Sequence, residues 1–112
     1  MKKLNIQDAE SHGDLCGGIQ DLYNSDNLSI AYVTNNGKAK SHMHKKLEEV
    51  YYITKGLGKI TIGNDTFDIK PGDIIPIPKN TFHHLEKTSE VPVELLVVTY
   101  PKFDLNDVIE EE

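Results

Sequence analysis

"GKITIGNDTFDIKPGD", Gly58–Asp73, carries the plainest structural signal in the chain. Side chains alternate along a strand, so Ile60 and Ile62 share one face, and Phe67 and Ile69 share a face of the segment that returns. Between the two runs, "GND" supplies residues that tolerate the positive φ of a tight hairpin turn. The stretch predicts an antiparallel hairpin, "GKITIG" (58–63) against "DTFDIK" (65–70). The pattern repeats on both sides of it. Upstream lie "LSIAYVT" (28–34) and "EVYYIT" (49–54); downstream lie "DIIPIP" (73–78) and "VELLVVTY" (93–100). All are rich in β-branched and aromatic residues. "NNGK", "KGLG", "KPGD" and "PKNT" punctuate them as turns too brief for crossover helices, so neighbouring strands should pair antiparallel. An all-β sandwich or barrel follows. Pro76 and Pro78 cannot donate to a ladder, which puts that side of their segment at a sheet edge or in solvent. In 49–54, Tyr51 and Ile53 share a face with Glu49, while Val50 and Tyr52 share the other with Glu48. Both faces are apolar, which predicts burial on both sides.

The 112 residues suffice for one domain with a modest core. The chain carries 12 basic and 18 acidic residues, a formal net charge of −6. No basic block is present, so nucleic acid is not an expected partner. Residues 101–112 end in "DVIEEE" and read as a short acidic, solvated tail with at most one helical turn. Cys16 is the single cysteine and cannot form an internal disulfide, which fits a cytoplasmic location. In a Gly-rich segment it reads as inert. "MKKLNIQDAESHGD" has no apolar stretch after its lysines and does not read as a signal peptide. The apolar-rich run "VPVELLVVTY" is too short and interrupted to cross a membrane. Residues 1–27 read as an N-terminal arm in which "CGGIQDLY" supplies a short strand or an extension toward a partner. His12 lies there with a plain surface role.

Chemistry concentrates just upstream of the hairpin, in "SHMHKKLEEVYYITKG" (41–56). On a strand His42 and His44 point to the same side, roughly 6.5–7 Å apart, close enough to lean toward one ion. The loop "KKL" can reverse the chain and bring Glu48 or Glu49 beside them; parity leaves the choice open. Downstream of the hairpin, "PKNTFHH" offers His83 and His84, only one of which can face inward.

These stretches closely resemble the two motifs of the cupins. The first motif is matched by Gly37, "SHMH", four residues (45–48), Glu49, six residues (50–55) and Gly56. The second is matched by Gly72, five residues (73–77), "PKN" (78–80), "TF" and His83. The resemblance spans 37–87, and the strand pattern extends it over about 28–100. It implies a single-domain cupin, a double-stranded β-helix or jelly-roll barrel over 28–100. It also implies metal ligands at His42, His44, Glu49 and His83, which selects Glu49 over Glu48 and leaves His84 on the outer face. The chain departs from the pattern in three places. Four residues rather than five separate Gly37 from His42, Asn80 replaces a Gly, and Lys87 replaces a closing Asn. Asn tolerates left-handed φ, so the turn survives, and no ligand is lost.

Three imidazoles and one carboxylate leave coordination positions open, as in catalytic sites. Such mixed N/O ligation suits one divalent Fe, Mn, Ni, Zn or Cu per subunit. The resemblance implies a metal-dependent protein acting on a small oxygenated molecule of sugar, uronate or enol type. The reaction would be of isomerase/lyase or dioxygenase kind. The alternative is non-catalytic, metal-assisted binding or sensing. Parity carries Tyr51 and Ile53 inward after Glu49, and Lys40, two before His42, toward the mouth. These three are the candidate substrate contacts, and Tyr51 is a candidate proton donor, though a core tyrosine is the plainer reading. Exposed sheet edges in so small a chain, and the resemblance, imply a homodimer to which residues 1–27 contribute.

Overall fold

The structure is a computed structural model and describes residues 3–14 and 17–112. Cys16 falls outside these residues, as does the side chain of His12. Two antiparallel sheets face each other as a jelly-roll barrel. Across the six-stranded sheet the order is β1 (Ser11–Asp14), β2 (Gly17–Asn24), β3 (Ser29–Asn35), β10 (Val93–Tyr100), β5 (Glu48–Lys55) and β8 (Ile74–Ile77). Across the five-stranded sheet it is β11 (Ile109–Glu110), β4 (His42–Met43), β9 (His83–Lys87), β6 (Gly58–Ile62) and β7 (Asp65–Ile69). Two 3₁₀ turns, Ile6–Asp8 and Leu105–Asp107, flank the sheets in sequence. No helix among the described residues is long and apolar enough to cross a membrane.

The hairpin of β6 and β7 forms with Ile60 opposite Phe67 and Gly58 opposite Ile69. Gly63 takes the positive φ at its tip. Ile60 and Ile69 are buried, whereas Phe67, on the outermost strand of its sheet, is 52% exposed. Between the sheets, Tyr51 and Ile53 of β5, Ile77 of β8 and Val93 and Leu95 of β10 meet Ile60, Ile69 and Leu85 from the opposite wall. Each such fully buried aliphatic side chain stabilises the fold by about 1.5–3 kcal/mol.

Two turns depend on unusual backbone. Gly56 has φ +83°, and a Cβ there would run into the main chain of Pro92 and Val93. Asn80 is the one non-Gly residue with positive φ among those described, at 58°. It substitutes for glycine in the turn before β9 as a short polar side chain can.

Two sequence expectations need revision. β5 is buried on one side only: Tyr51 and Ile53 face the core, while Val50 and Tyr52 are exposed on the outer face of the sheet. Ile74 and Tyr100 are exposed on the same face, with Tyr52 opposite Ile74 and Tyr100 opposite Glu48. The apolar residues at alternate positions thus mark an uncovered sheet surface. In the N-terminal segment, β2 pairs with β3, Ile19 opposite Val33 and Gln20 opposite Tyr32, and β1 pairs with the outer edge of β2, so the short-strand alternative for this segment is the one formed. Gln20 fastens the preceding segment by donating to the carbonyls of Ile6 and Ala9, both at 2.9 Å. The C-terminal tail is not free in solvent: β11 pairs with β4, and Asp107 is buried.

Candidate metal centre

His42 and His83 are register partners across β4 and β9, so their side chains leave the sheet on one face, with ring centroids 4.4 Å apart. His44 follows β4 directly, and its ring centroid lies 5.1 Å from that of His42. Glu49 comes from the opposite sheet. Its Oε1 is 3.0 Å from His44 Nε2 and 3.1 Å from His83 Nε2. One ligand atom from each of the four residues lies within 4.8 Å of all the others. Two ligands each ~2.1 Å from one ion stand at most about 4.2 Å apart, so small side-chain shifts would close the set around an ion. His44, Glu49 and His83 are buried and His42 is half-buried, so access is from the His42 side.

The imidazoles are oriented by their other nitrogens. Nδ1 of His42 donates to the carbonyl of Lys40 at 2.9 Å, that of His44 to Asp107 at 2.9 Å, and that of His83 to Thr81 at 3.1 Å. A carbonyl only accepts, so each Nδ1 carries a proton, and Nε2 is the nitrogen left to ligate when a ring is neutral. Neutral rings and a carboxylate so gathered are a collection of acceptors that only protons or a cation can reconcile. His83 Nε2 lies 3.1 Å from Glu49 Oε1, a contact that a shared cation or proton would satisfy. Nε2 of His44 is buried and, though close to Glu49, makes no hydrogen bond of acceptable geometry. An orphaned buried nitrogen aimed at an acceptor cluster fits a metal ligand.

The electrostatics agree. Burial opposes charge on Glu49, but the adjoining His44 and His83 rings outweigh it and bring its pKa to about 2. Burial also opposes charge on His44, yet the adjoining Glu49 carboxylate raises its pKa. For His42 burial wins and the pKa falls, which leaves a neutral ring ready to ligate. Tyr51 is pushed well above the usual tyrosine value by burial and by the Glu49 charge, so it keeps its proton. Its ring lies edge-on to His83, with centroids 6.2 Å apart.

Of the other candidates, Ile53 is fully buried in the core cluster, where it packs rather than lines an opening. Lys40 is exposed and pairs with Glu110 at 2.8 Å, outside the cluster. His84 lines an open concavity with Ser41, Thr61 and Glu111 on the outer side, and Glu48 is exposed.

The residue absent from the sequence reading is Asp107. Its carboxylate accepts the backbone N–H groups of Lys45 and Lys46, both at 2.9 Å, and of Leu47 at 3.2 Å. Burial opposes its charge, but these three donors hold its carboxyl below the usual aspartate value. Its carbonyl is the acceptor for His44. Asn80 adds a second support by donating its N–H to the His44 carbonyl at 2.7 Å. No local pattern could have tied residue 107 to a loop some sixty positions earlier.

Against known proteins, residues 30–99 match the family model described as a cupin domain. An uncharacterised protein of Methanocaldococcus jannaschii, MJ1618, is 39% identical over 80 residues, 71% of this chain and 64% of that protein. The chain thus spans less than two thirds of that relative. Among solved structures, Pac13, described as a nucleoside dehydratase, superposes with a TM-score of 0.86 at 15% identity, covering 100% of this chain and 92% of that one. KdgF from Halomonas sp. gives a TM-score of 0.85 at 15% identity, covering 93% of this chain and 96% of that one.

Proposed function

The chain belongs to the cupin domain family, and from that premise we propose that it is a metal-dependent small cupin. It acts on a small oxygenated molecule of sugar, uronate or enol type, by isomerase/lyase or dioxygenase chemistry. One observation carries this reading: each of three imidazoles donates a hydrogen bond from Nδ1 to a main-chain carbonyl, and one ligand atom from each ring and from Glu49 gathers within 4.8 Å. His42, His44, Glu49 and His83 would hold one divalent Fe, Mn, Ni, Zn or Cu. When bound, the ion would supply Lewis acidity, an acidified water or O₂ chemistry. The residues supply the rest. Glu49 contributes charge that stays ionised at any pH near neutrality. Half-buried His42 lies on the side from which a ligand would enter. Tyr51, holding its proton, donates a hydrogen bond to an oxygen atom rather than relaying a proton. The description of Pac13 as a dehydratase lends support to the lyase branch.

A second reading is metal-assisted binding or sensing without turnover, in which Tyr51, edge-on to His83, serves only as a hydrogen-bond donor. Elemental analysis of the purified protein together with O₂ uptake separates the cases. Iron with uptake supports dioxygenation. Another metal without uptake, and a product lost on chelation and in His42→Ala, supports isomerase/lyase action. Ligand-induced stabilisation with no product supports binding alone. Failure to take up any divalent metal overturns all three.

A homodimer and a cytoplasmic location belong to the same proposal. The apolar outer face bearing Val50, Tyr52, Ile74 and Tyr100 supports the first, and the single cysteine supports the second. Light scattering of wild type and Tyr52→Glu checks the dimer: a monomeric wild type would remove it. Recovery outside the cytoplasm on cell fractionation would remove the location.

A further inference from the structure

We propose that the C-terminal segment Phe103–Glu111 is a positioning element for the metal ligands, centred on Asp107. Ion binding and docking of this segment are then coupled. The inference rests on the metal reading above and concerns residues that make no contact with the ion.

The strand that carries the first histidine is only two residues long, and it has a single register pair with β9, His42 with His83. Its other neighbour is the C-terminal segment. Ile109 pairs with Met43 and Glu110 with His42. Glu111 donates its N–H to Ser41 at 3.0 Å, and its carboxylate accepts from Ser41 Oγ at 2.7 Å. Next to it, Asp107 acts on both sides of His44. Its carbonyl fixes the ring through Nδ1, and its carboxylate gathers the three N–H groups of the loop that leads on to Glu49. The ring of Phe103 stands edge-on to that of His44, with centroids 6.2 Å apart. The ring of His44 therefore owes its orientation, and the short strand of His42 its outer pairing, to residues beyond the last long strand.

A partner that fixes the tautomer and direction of a ligating imidazole typically changes metal affinity 10–100-fold. Coupling is reciprocal, so whatever the segment does for the ion, the ion does for the segment.

Cobalt(II) is the probe, titrated into metal-free full-length protein and followed by its visible absorption. Asp107→Ala should weaken binding roughly 10–100-fold. Asp107→Asn, which keeps the main-chain carbonyl and a side-chain oxygen for the loop, should recover most of that loss. In a His44→Ala background, Asp107→Ala should cost less than in the wild type, because only the path through the loop to Glu49 remains. Equal losses with and without His44 would overturn the positioning role and leave a general effect on the fold. Amide exchange in the wild type needs no variant: cobalt should slow exchange at Lys45, Lys46, Leu47 and Glu111 more than in the β6–β7 hairpin, and unchanged rates overturn the coupling. A wild type that takes up no cobalt defeats the metal reading and the inference together. A wild type that binds and an Asp107→Ala that binds as tightly defeats the inference alone.

Discussion

The two halves of the candidate ligand set are built differently. Glu49 and His83 stand on β5 and β9, strands of eight and five residues whose alternate positions enter the core. His42 and His44 stand on and just beyond a two-residue strand whose neighbours include the C-terminal segment. The first half is positioned by the barrel itself. The second is positioned by hydrogen bonds to a segment that packs from outside. Secondary structure places a ligand cheaply where a strand already runs through the core; elsewhere individual polar contacts must do it, and each can be removed singly.

Substitutions can break this contrast or sharpen it. The largest effect on stability is expected on the barrel side: Ile53→Ala, at a fully buried site, should cost about 2–5 kcal/mol in urea unfolding. A cost below 1 kcal/mol would mean that the wall behind Glu49 is not rigid. Glu49→Ala should lower cobalt affinity by more than about 100-fold, beyond the range for groups that only orient ligands. An effect no larger than that of Asp107→Ala would erase the distinction between the halves. Acid should act on both. The carboxyls of Glu49 and Asp107 are depressed in the folded protein, so they add stability above their ordinary values, near 4.5 and 3.8. That stability is lost as pH falls toward about 2 for Glu49, and toward a value below the ordinary one for Asp107. Metal-free protein should therefore lose stability on acidification below about pH 4.5, and Asp107→Asn should flatten part of that slope. An unchanged slope would mean the loop contacts do not depend on the charge. The smallest effect is expected at Lys40, whose exposed pair with Glu110 should contribute at most about 1 kcal/mol, so that Lys40→Ala leaves stability and cobalt affinity nearly as they were.

What could be read from the sequence followed the same division. The hairpin at 58–69 and the alternation of the strand that carries Glu49 depend on residues within a few positions of one another. Spacing therefore carries them. The choice between Glu48 and Glu49 was beyond parity, because both faces of β5 look apolar, and only the likeness to a known motif resolved it. The same ambiguity produced the expectation that β5 is buried on both sides, whereas Val50 and Tyr52 form an uncovered surface. Asp107 was illegible for a different reason. Among four acids in "DVIEEE" it has nothing local to set it apart, and its partners lie some sixty residues away. Charge pattern reads such a run as solvated, and only the tertiary path of the chain turns one carboxylate inward.

The division of the ligands between the two sheets has a mechanical consequence. An ion held by His42, His44 and His83 from one wall and Glu49 from the other would act as a rivet through the barrel. The walls could not part while it stayed in place. Loss of the ion would then come before any global opening, and the lifetime of the folded protein would track the rate of metal release as well as the packing of its core.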